Sequence, residues 1–519
     1  MSSPYILTET TKVATPDKES YGQILKSSAL IGGSSAINIA IGIIRTKAMA
    51  VLLGPAGFGL MGVYGSIVDL AQSIAGMGIN SSGVRQIAAA TGSGDTNRIA
   101  RTVVVLRRTS IVLGIVGAAL LAALSWQIAD LTFGTHERAA AVALLSLALL
   151  FRLISAGQGA LLQGMRHISD LAKMNMLGAA FGAIASIVFV YFWHEDGVVL
   201  ALVAIAVMSV ITSWWYSRKV QIQSPIMPMS EIKEETTALL KLGFAFMASG
   251  LLMMGAAYVV RMMVIRLVSL EAAGFYQAAW TLGGLYVGFI LQAMGADFYP
   301  RLTAAAHDHA LCNRLVNEQT QISLLLAGPG VLATLVFAPL VTTLFYSAQF
   351  EAAVEILRWI CLGMALRVIT WPMGYIIVAK GEQTIFFWTE LAWTVVNVGL
   401  SWLCIKSFGL TGAGVAFFGS YVFHAVLIYP IVRHLTGFRW STANNQIGLF
   451  FFSSITVGFC GVYVLPSFTM MVVGALTVLL SGMYSLRALA SVVPLDRMPR
   501  LLARSLERLR IVPTLKEPA

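Results

Sequence analysis

At 519 residues the chain is long enough for several soluble domains, yet 57% of its residues are hydrophobic, only 11% are charged and the mean hydropathy is +0.79. Such a composition cannot cover a soluble surface, so lipid is the solvent for most of the chain. The formal net charge of +11 would suit a nucleic-acid partner, but its placement follows membrane topology instead.

Residues 1–26 are polar and lack the basic start and small-residue cleavage site of a signal peptide, which predicts a cytosolic N-terminal segment. Apolar runs long enough to cross a bilayer follow at 29–53, 58–84, 103–126, 139–162, 171–193 and 198–216. A polar cytosolic linker at 217–241 separates these from runs at 242–267, 275–294, 322–345, 356–378, 385–405 and 413–432, and a last pair lies at 447–464 and 471–488. All exceed the roughly 10 residues of a barrel strand, so the fold class is all-α and polytopic, with about fourteen transmembrane helices. The units expected are a lobe at 27–216, a lobe at 242–435, an extra helix pair at 436–490 and a cytosolic tail at 491–519. In that tail Arg497, Arg500, Arg504 and Arg508 share one helical face, and Leu502, Leu506 and Leu509 share another.

With the N-terminus inside, most of the 35 Lys and Arg fall on the cytosolic side, and only Arg138, Arg358 and Lys406 sit in clear outside loops. The four cysteines, Cys312, Cys361, Cys404 and Cys460, are too scattered for a metal pair or a disulfide framework. His307-Asp308-His309 lacks a third metal ligand, and Thr91-Gly-Ser-Gly-Asp-Thr lacks the lysine of a phosphate-binding loop. Neither a catalytic triad nor a defensible carboxylate pair is visible, so no metal, no cofactor and no enzyme chemistry is expected.

The two sets of six spans repeat each other. Arg152-Leu-Ile-Ser returns as Arg367-Val-Ile-Thr, Gly159 as Gly374 and Gly197 as Gly412, each 215 positions on, and Gly57-Phe58 returns as Gly274-Phe275. Each set begins inside and has an even number of spans, which makes parallel repeats enclosing a central cavity.

An arginine at mid-bilayer costs at least ~2.5 kcal/mol, so Arg152 and Arg367 must face protein or water. Arg45 and Lys47 in the first span of one lobe, and Arg261 and Arg266 in the first span of the other, extend the pattern. Arg45 and Lys47 lie about 200° apart on a helix, so one points inward and the other outward. Asp69 and Glu390 are the clearest intramembrane acids. All these charges could be pairs that lock helices together, but six cations against two acids leave a positive cavity fit for an anion such as a pyrophosphate. Asp69 and Glu390 are then candidates for coupling to a proton or sodium gradient. Gly157, Gly159, Pro372 and Gly374 follow the buried arginines and are either hinges or packing positions.

Lys47-Ala-Met-Ala-Val-Leu-Leu-Gly-Pro-Ala-Gly-Phe-Gly-Leu, Ala75-Gly-Met-Gly-Ile-Asn and Gly409-Leu-Thr-Gly-Ala-Gly-Val-Ala resemble the polysaccharide flippases of the multidrug, oligosaccharidyl-lipid and polysaccharide exporter superfamily. The likeness is to the Wzx O-antigen translocases and the related lipid III flippase, and it extends from residue 21 to about 435. The resemblance implies two six-helix lobes, alternating access, and carriage of an undecaprenyl-diphosphate-linked glycan to the periplasmic leaflet of the bacterial inner membrane. It further implies Lys47, Arg152, Arg261 and Arg367 as cavity cations, and a polysaccharide polymerase and chain-length regulator as partners, with a single chain able to act alone. The last helix pair departs from the twelve-helix members. A drug exporter of the same superfamily is the rival transporter, and a membrane glycosyltransferase or polymerase the rival enzyme. A cationic cavity opposes the first, and the lack of a large extramembrane loop opposes the second.

Overall fold

The computed structural model describes residues 18–93, 95–220 and 227–492, all of whose regular structure is helical. In chain order the helices are α1 (Lys18–Ala75), α2 (Ile79–Ser93), α3 (Thr96–Ala123), α4 (Ser125–Phe133), α5 (Ala139–Gly164), α6 (Ile168–Trp193) and α7 (Gly197–Ser217). The second half holds α8 (Met229–Leu267), α9 (Leu270–Ala304), α10 (His309–Val336), α11 (Ala338–Phe345), α12 (Ala353–Ala379), α13 (Gln383–Phe408) and α14 (Thr411–Thr436), and α15 (Thr442–Val464) and α16 (Ser467–Val492) complete the chain.

Twelve helices among the described residues are long and apolar enough to cross a membrane, and the protein is a multi-pass membrane protein. One of the twelve, Gly33–Ala75, is 43 residues long, about twice what a bilayer needs. It is broken at Gly54, whose φ of 63° and ψ of −173° leave the helix. Pro55 disfavours helical geometry in the residue before it, and only glycine takes that positive φ cheaply. The helix is therefore two crossings, as read from the sequence. With α9, 35 residues long, lying over the expected span at 275–294, the crossings number the fourteen anticipated.

The two halves repeat in packing as in sequence. In the first, α7 packs on α6 and α5, α5 on α3, and α1 on α6; in the second, α14 packs on α13 and α12, α12 on α10, and α8 on α13. Short helices, α4 and α11, follow the third crossing of each half. The turns repeat too: Arg166 and Gly381 both have positive φ (58° and 76°), as do His194 and Gly409 (49° and 60°), each pair 215 positions apart. Helices α15 and α16 lean on α10. Large apolar residues such as Ile44, Ile115, Val426 and Leu479 are exposed on the outer faces, and Trp193, Trp214, Trp215 and Trp402 stand near helix ends, as lipid and its interfaces require.

Three expectations are corrected. The span at 58–84 stops at Ala75, because Met77 and Gly78 take positive φ (45° and 65°) and α2 starts afresh. The linker at 217–241 is not wholly a loop, since residues from Met229 onward are the start of α8. The region 103–126 ends in a break before α4, where Leu124 leaves helical geometry. The tail arginines lie outside the described residues.

Contacts between the halves concentrate at two levels. At the end away from the basic loops, Gly59 on α1 meets Gly274 on α9 so closely that a Cβ on Gly59 would lie 2.6 Å from the Gly274 nitrogen. Beside them Phe58 packs edge-on against Tyr346 (5.3 Å) and Phe350 (5.7 Å), Phe275 packs on Phe350 (6.1 Å), and Lys47 Nζ donates to the Thr343 carbonyl at 2.9 Å. At the basic end, Gly78 abuts Gly243 of α8 backbone to backbone, and Arg101 pairs with Glu231. The first seam is a dry aromatic plug. The second rests on a glycine contact and a partly exposed ion pair, which contributes about 0–1 kcal/mol.

Glu231→Gln should therefore loosen the basic-end seam alone. Thiol labelling of Ser73→Cys, whose Oγ faces Gly250 just inside that seam, should accelerate by up to about fivefold; an unchanged rate would show that the ion pair does not hold it. Gly274→Ala should destabilise the protein by about 1–3 kcal/mol, because backbone atoms of Pro55 stand in the way. Gly374→Ala has nothing within 4 Å and should raise stability by up to about 1 kcal/mol through helix propensity. Thermal unfolding of the two variants in one detergent checks the contrast.

Candidate functional site

Between the two seams lies the charged set. Asp69, on the second crossing of α1, accepts from Arg152 Nη1 of α5 at 2.5 Å. Their side chains are 49% and 33% exposed, so the pair borders open space and not a packed core. Arg45, on the first crossing of α1, lies close enough to Arg152 for the two guanidinium groups to act on each other, and its buried Nε has no hydrogen-bond partner. Arg261 enters from α8 of the other half and feels the Asp69 charge across the seam. Its Nε donates to Gln277 Oε1 at 2.9 Å and its Nη1 to the Ala257 carbonyl at 3.1 Å. Arg152 thus pairs with the carboxylate, Arg261 feels its charge from the other half, and Arg45 stands beside Arg152. Among the described residues neither Arg45 nor Arg261 has a carboxylate within ion-pair distance.

Gln277 was not anticipated from the sequence. It sits on α9 over Gly62 of α1, where a Cβ would lie 2.9 Å from Gln277 Cγ. A polar residue in an apolar run is a weak signal alone; its meaning comes from the bare backbone opposite it. Arg261 also lines a crevice within the second half, with Tyr276, Trp280, Trp393 and Phe417.

Arg367 joins a different group. On α12 it acts electrostatically on Glu390 of α13 and on Tyr421 and His424 of α14. The rings of Trp393, Tyr421 and His424 enclose the group at centroid distances of 5.8–6.4 Å. Arg367 Nε, Trp393 Nε1, Thr394 Oγ1 and His424 Nδ1 are all buried without a hydrogen-bond partner. Unpaired buried polar atoms cost about 1–3 kcal/mol each, so those of Arg367, Trp393 and His424, which lie in one group, leave room for a further hydrogen-bonding partner. His424, Trp393 and Thr394 have no counterpart in the charge pattern from which the site was first read. They are neutral or aromatic, and a charge count passes over them.

Two predicted cations stand apart. Lys47 donates to the Thr343 carbonyl at the aromatic seam, a contact that crosses to the other half and does not run outward as expected for one of that pair. Arg266 is exposed in the last turn of α8, with its guanidinium against Gly134 at the C-terminal end of α4. There it meets the negative end of a helix dipole, in a contact that crosses between the halves at α4 and not at Asp69. Of the hinge candidates, Gly157 is a packing position, because a Cβ there would lie 2.9 Å from Ser110 Cβ. Gly159 has only Met174 Cε at 3.5 Å, Gly374 has open space, and α12 remains helical through Pro372.

The remaining motifs resolve as local structure. Asp308 caps α10, accepting from Leu311 N at 3.0 Å, and His309 Nε2 lies 3.0 Å from Lys380 Nζ. Asp95 caps α3 by accepting from Arg98 N at 2.9 Å. Among the described residues no group of three metal-ligating side chains forms.

The family model for "Polysaccharide biosynthesis protein" matches residues 48–355. The lipid III flippase of Escherichia coli strain K12 is 22% identical over 407 residues, an alignment covering 77% of this chain and 95% of that protein, and the lipid III flippase of Shigella flexneri matches equally. Among solved structures, the lipid II flippase MurJ in an inward closed conformation superposes with a TM-score of 0.65 at 12% identity, covering 89% of this chain and 99% of that one. An inward-facing multidrug resistance MATE family transporter of the MOP superfamily gives 0.62 at 18% identity, covering 77% and 94%. These two share the fold. With more than half of its length matched by the family model, and with paired six-crossing halves around an arginine-rich seam, the chain belongs to the polysaccharide biosynthesis protein family.

Proposed function

We propose that the protein is a flippase that carries a polyprenyl-diphosphate-linked oligosaccharide from the cytoplasmic to the periplasmic leaflet of a bacterial inner membrane. The observation that carries the reading is an imbalance of charge: Arg152 and Arg261 act on Asp69 from opposite halves, and Arg45, beside Arg152, has no carboxylate within ion-pair distance among the described residues. The excess positive charge lies between the halves, where a head group crossing the bilayer must pass. Arg152 and Arg261 come from opposite halves, so a diphosphate held by both draws the halves together, and its bidentate oxygens match guanidinium geometry. The family match and the lipid III flippase relatives support a lipid-linked sugar as cargo.

In this mechanism the basic-end seam opens and the head group enters while the polyprenyl chain stays in lipid. The diphosphate displaces Asp69 from Arg152, and closure at the basic end accompanies opening of the aromatic seam. Export needs a driving force, which we assign to a proton or sodium gradient acting at Asp69 or at Glu390 with His424. The excess of Lys and Arg at one end supports a cytosolic position for both termini. A chain polymerase and length regulator are the partners this role expects. The drug-exporter reading fits less well, since three guanidinium groups repel the cations most such exporters carry.

In a flippase-deficient strain, wild-type protein should restore glycan-lipid translocation, and Arg152→Ala or Arg261→Ala at matched membrane levels should reduce it by tenfold or more, the scale of one or two lost charged hydrogen bonds. Arg266→Gln should translocate near normally. Equal loss in all three variants would point to general destabilisation and remove the site from between the halves. In proteoliposomes with an imposed gradient, Asp69→Asn and Glu390→Gln should each change the gradient dependence of transport; a double variant with unaltered dependence would exclude both as coupling groups.

A further inference from the structure

A second polar site lies on the flank of the first half, away from the seam. Helices α3, α5 and α7 enclose a crevice of about 640 Å³ whose lining includes Arg107, Ser110, Gly157, Gln158, Trp214 and Arg218. None of its lining residues comes from α1, α8 or α9, the helices that meet between the halves. Four of its polar side chains offer donors to the space, while the Ser217 hydroxyl is taken up by the Trp214 carbonyl. Ser110 is 1% exposed, yet its Oγ has no hydrogen-bond partner. Gln158 uses its Oε1 to accept from Ser213 Oγ at 2.5 Å, which leaves its amide nitrogen to the crevice. Arg107 and Arg218 have no carboxylate within ion-pair distance among the described residues. Gly157 forms the floor and lets α5 approach Ser110 of α3 closely, since a side chain there would collide with Ser110.

The surroundings indicate what the donors meet. Arg218 lies over the rings of Trp215 (4.0 Å) and Trp214 (4.7 Å), an arrangement that holds a guanidinium at the level of lipid head groups. Ile111, Val112 and Ile115 on the adjoining face of α3 are exposed, which offers acyl chains an apolar wall. Both the start of α3 and the end of α7 belong to the end of the bundle rich in Lys and Arg.

We propose that this crevice binds the phosphate of an anionic phospholipid from the leaflet at the basic end. Two guanidinium groups, a serine hydroxyl and an amide form an all-donor set that recognises phosphodiester oxygens, and basic pockets between transmembrane helices on this side suit such head groups. The site is independent of the transported lipid, which the seam between the halves engages.

Native mass spectrometry of the full chain released from nanodiscs tests the assignment, with phosphatidylglycerol in a phosphatidylcholine background as the probe. Wild type should retain phosphatidylglycerol through delipidation, and Arg107→Gln with Arg218→Gln should bind it about tenfold more weakly or worse. Arg108→Gln, an exposed cation on the same helix but outside the crevice, should bind as wild type. Ser110→Ala is small enough to fold if the double variant does not, and should weaken binding about threefold to tenfold. Millimolar inorganic phosphate should leave the bound lipid in place. The proposal is overturned by undiminished binding in the double variant or in Ser110→Ala, or by an equal loss in Arg108→Gln, which would mean diffuse surface charge. Displacement by inorganic phosphate or by an equimolar undecaprenyl-diphosphate-linked sugar would also overturn it, assigning the crevice to a free anion or to the transported lipid.

Discussion

The contact on which the structure depends is the Asp69–Arg152 ion pair, set in a bundle whose solvent is hydrocarbon. A lone arginine at this depth costs at least ~2.5–3.5 kcal/mol, so the guanidinium groups of Arg45, Arg152 and Arg261 can exist only where protein or water surrounds them. That requirement sets α1, α5 and α8 around a common space. Partial exposure of Asp69 and Arg152 keeps the pair wet enough to separate; a fully dry pair would cost several kcal/mol to break. A pair that both holds the resting arrangement and yields to a polyanion has to be intermediate in burial, and this one is.

The position of that pair between the seams follows from helix arithmetic. Asp69 lies ten residues beyond Gly59 and nine before Gly78, both of which press backbone to backbone against the other half. At 1.5 Å per residue, each contact is about 15 Å from the carboxylate, half the ~30 Å thickness of the hydrocarbon core. The charged set is thus at the midplane with a seal on either side. The seals differ in kind. Phe58, Tyr346, Phe350 and Phe275 bury apolar area at one end, while Arg101 and Glu231 close the other with a pair that water reaches. The basic end is therefore the easier to open, the order that the proposed uptake of a head group from that side needs.

The sequence already showed the crossings, the repeat and the depth of the arginines, because length, hydropathy and the spacing between Arg152 and Arg367 are properties of the chain itself. The turns at Arg166 and Gly381, and at His194 and Gly409, repeat for the same reason: equal helix lengths deliver the chain to equal corners. Direction was harder to read. Lys47 and Arg266 sit in the same outer stretches as Arg45 and Arg261, but a long side chain follows whichever acceptor the neighbouring helix offers. Those acceptors, the Thr343 carbonyl and the end of α4, belong to short helices that a hydropathy window merges into the preceding span. Gln277 and His424 escaped notice because a neutral polar residue gains its meaning from the groups around it.

The two copies of the repeated arginine show how a duplicated framework divides its work. Arg152 and Arg367 occupy matching positions on α5 and α12, yet the carboxylate of the first comes from α1, and that near the second from α13. Asp69 is on a helix that faces the other half, so whatever changes its pairing changes how the halves meet. Glu390 is inside one half, enclosed with His424, Tyr421 and Trp393. A change of charge there acts first on the packing of α12, α13 and α14. It can reach α8 directly, since α13 packs on that helix, and also through the aromatic wall of Tyr421, Phe417 and Trp280, which ends at the crevice that Arg261 lines. In the proposed cycle the first arginine meets the passenger, and the second is where a protonation or ion-binding event would act on the packing of α12, α13 and α14.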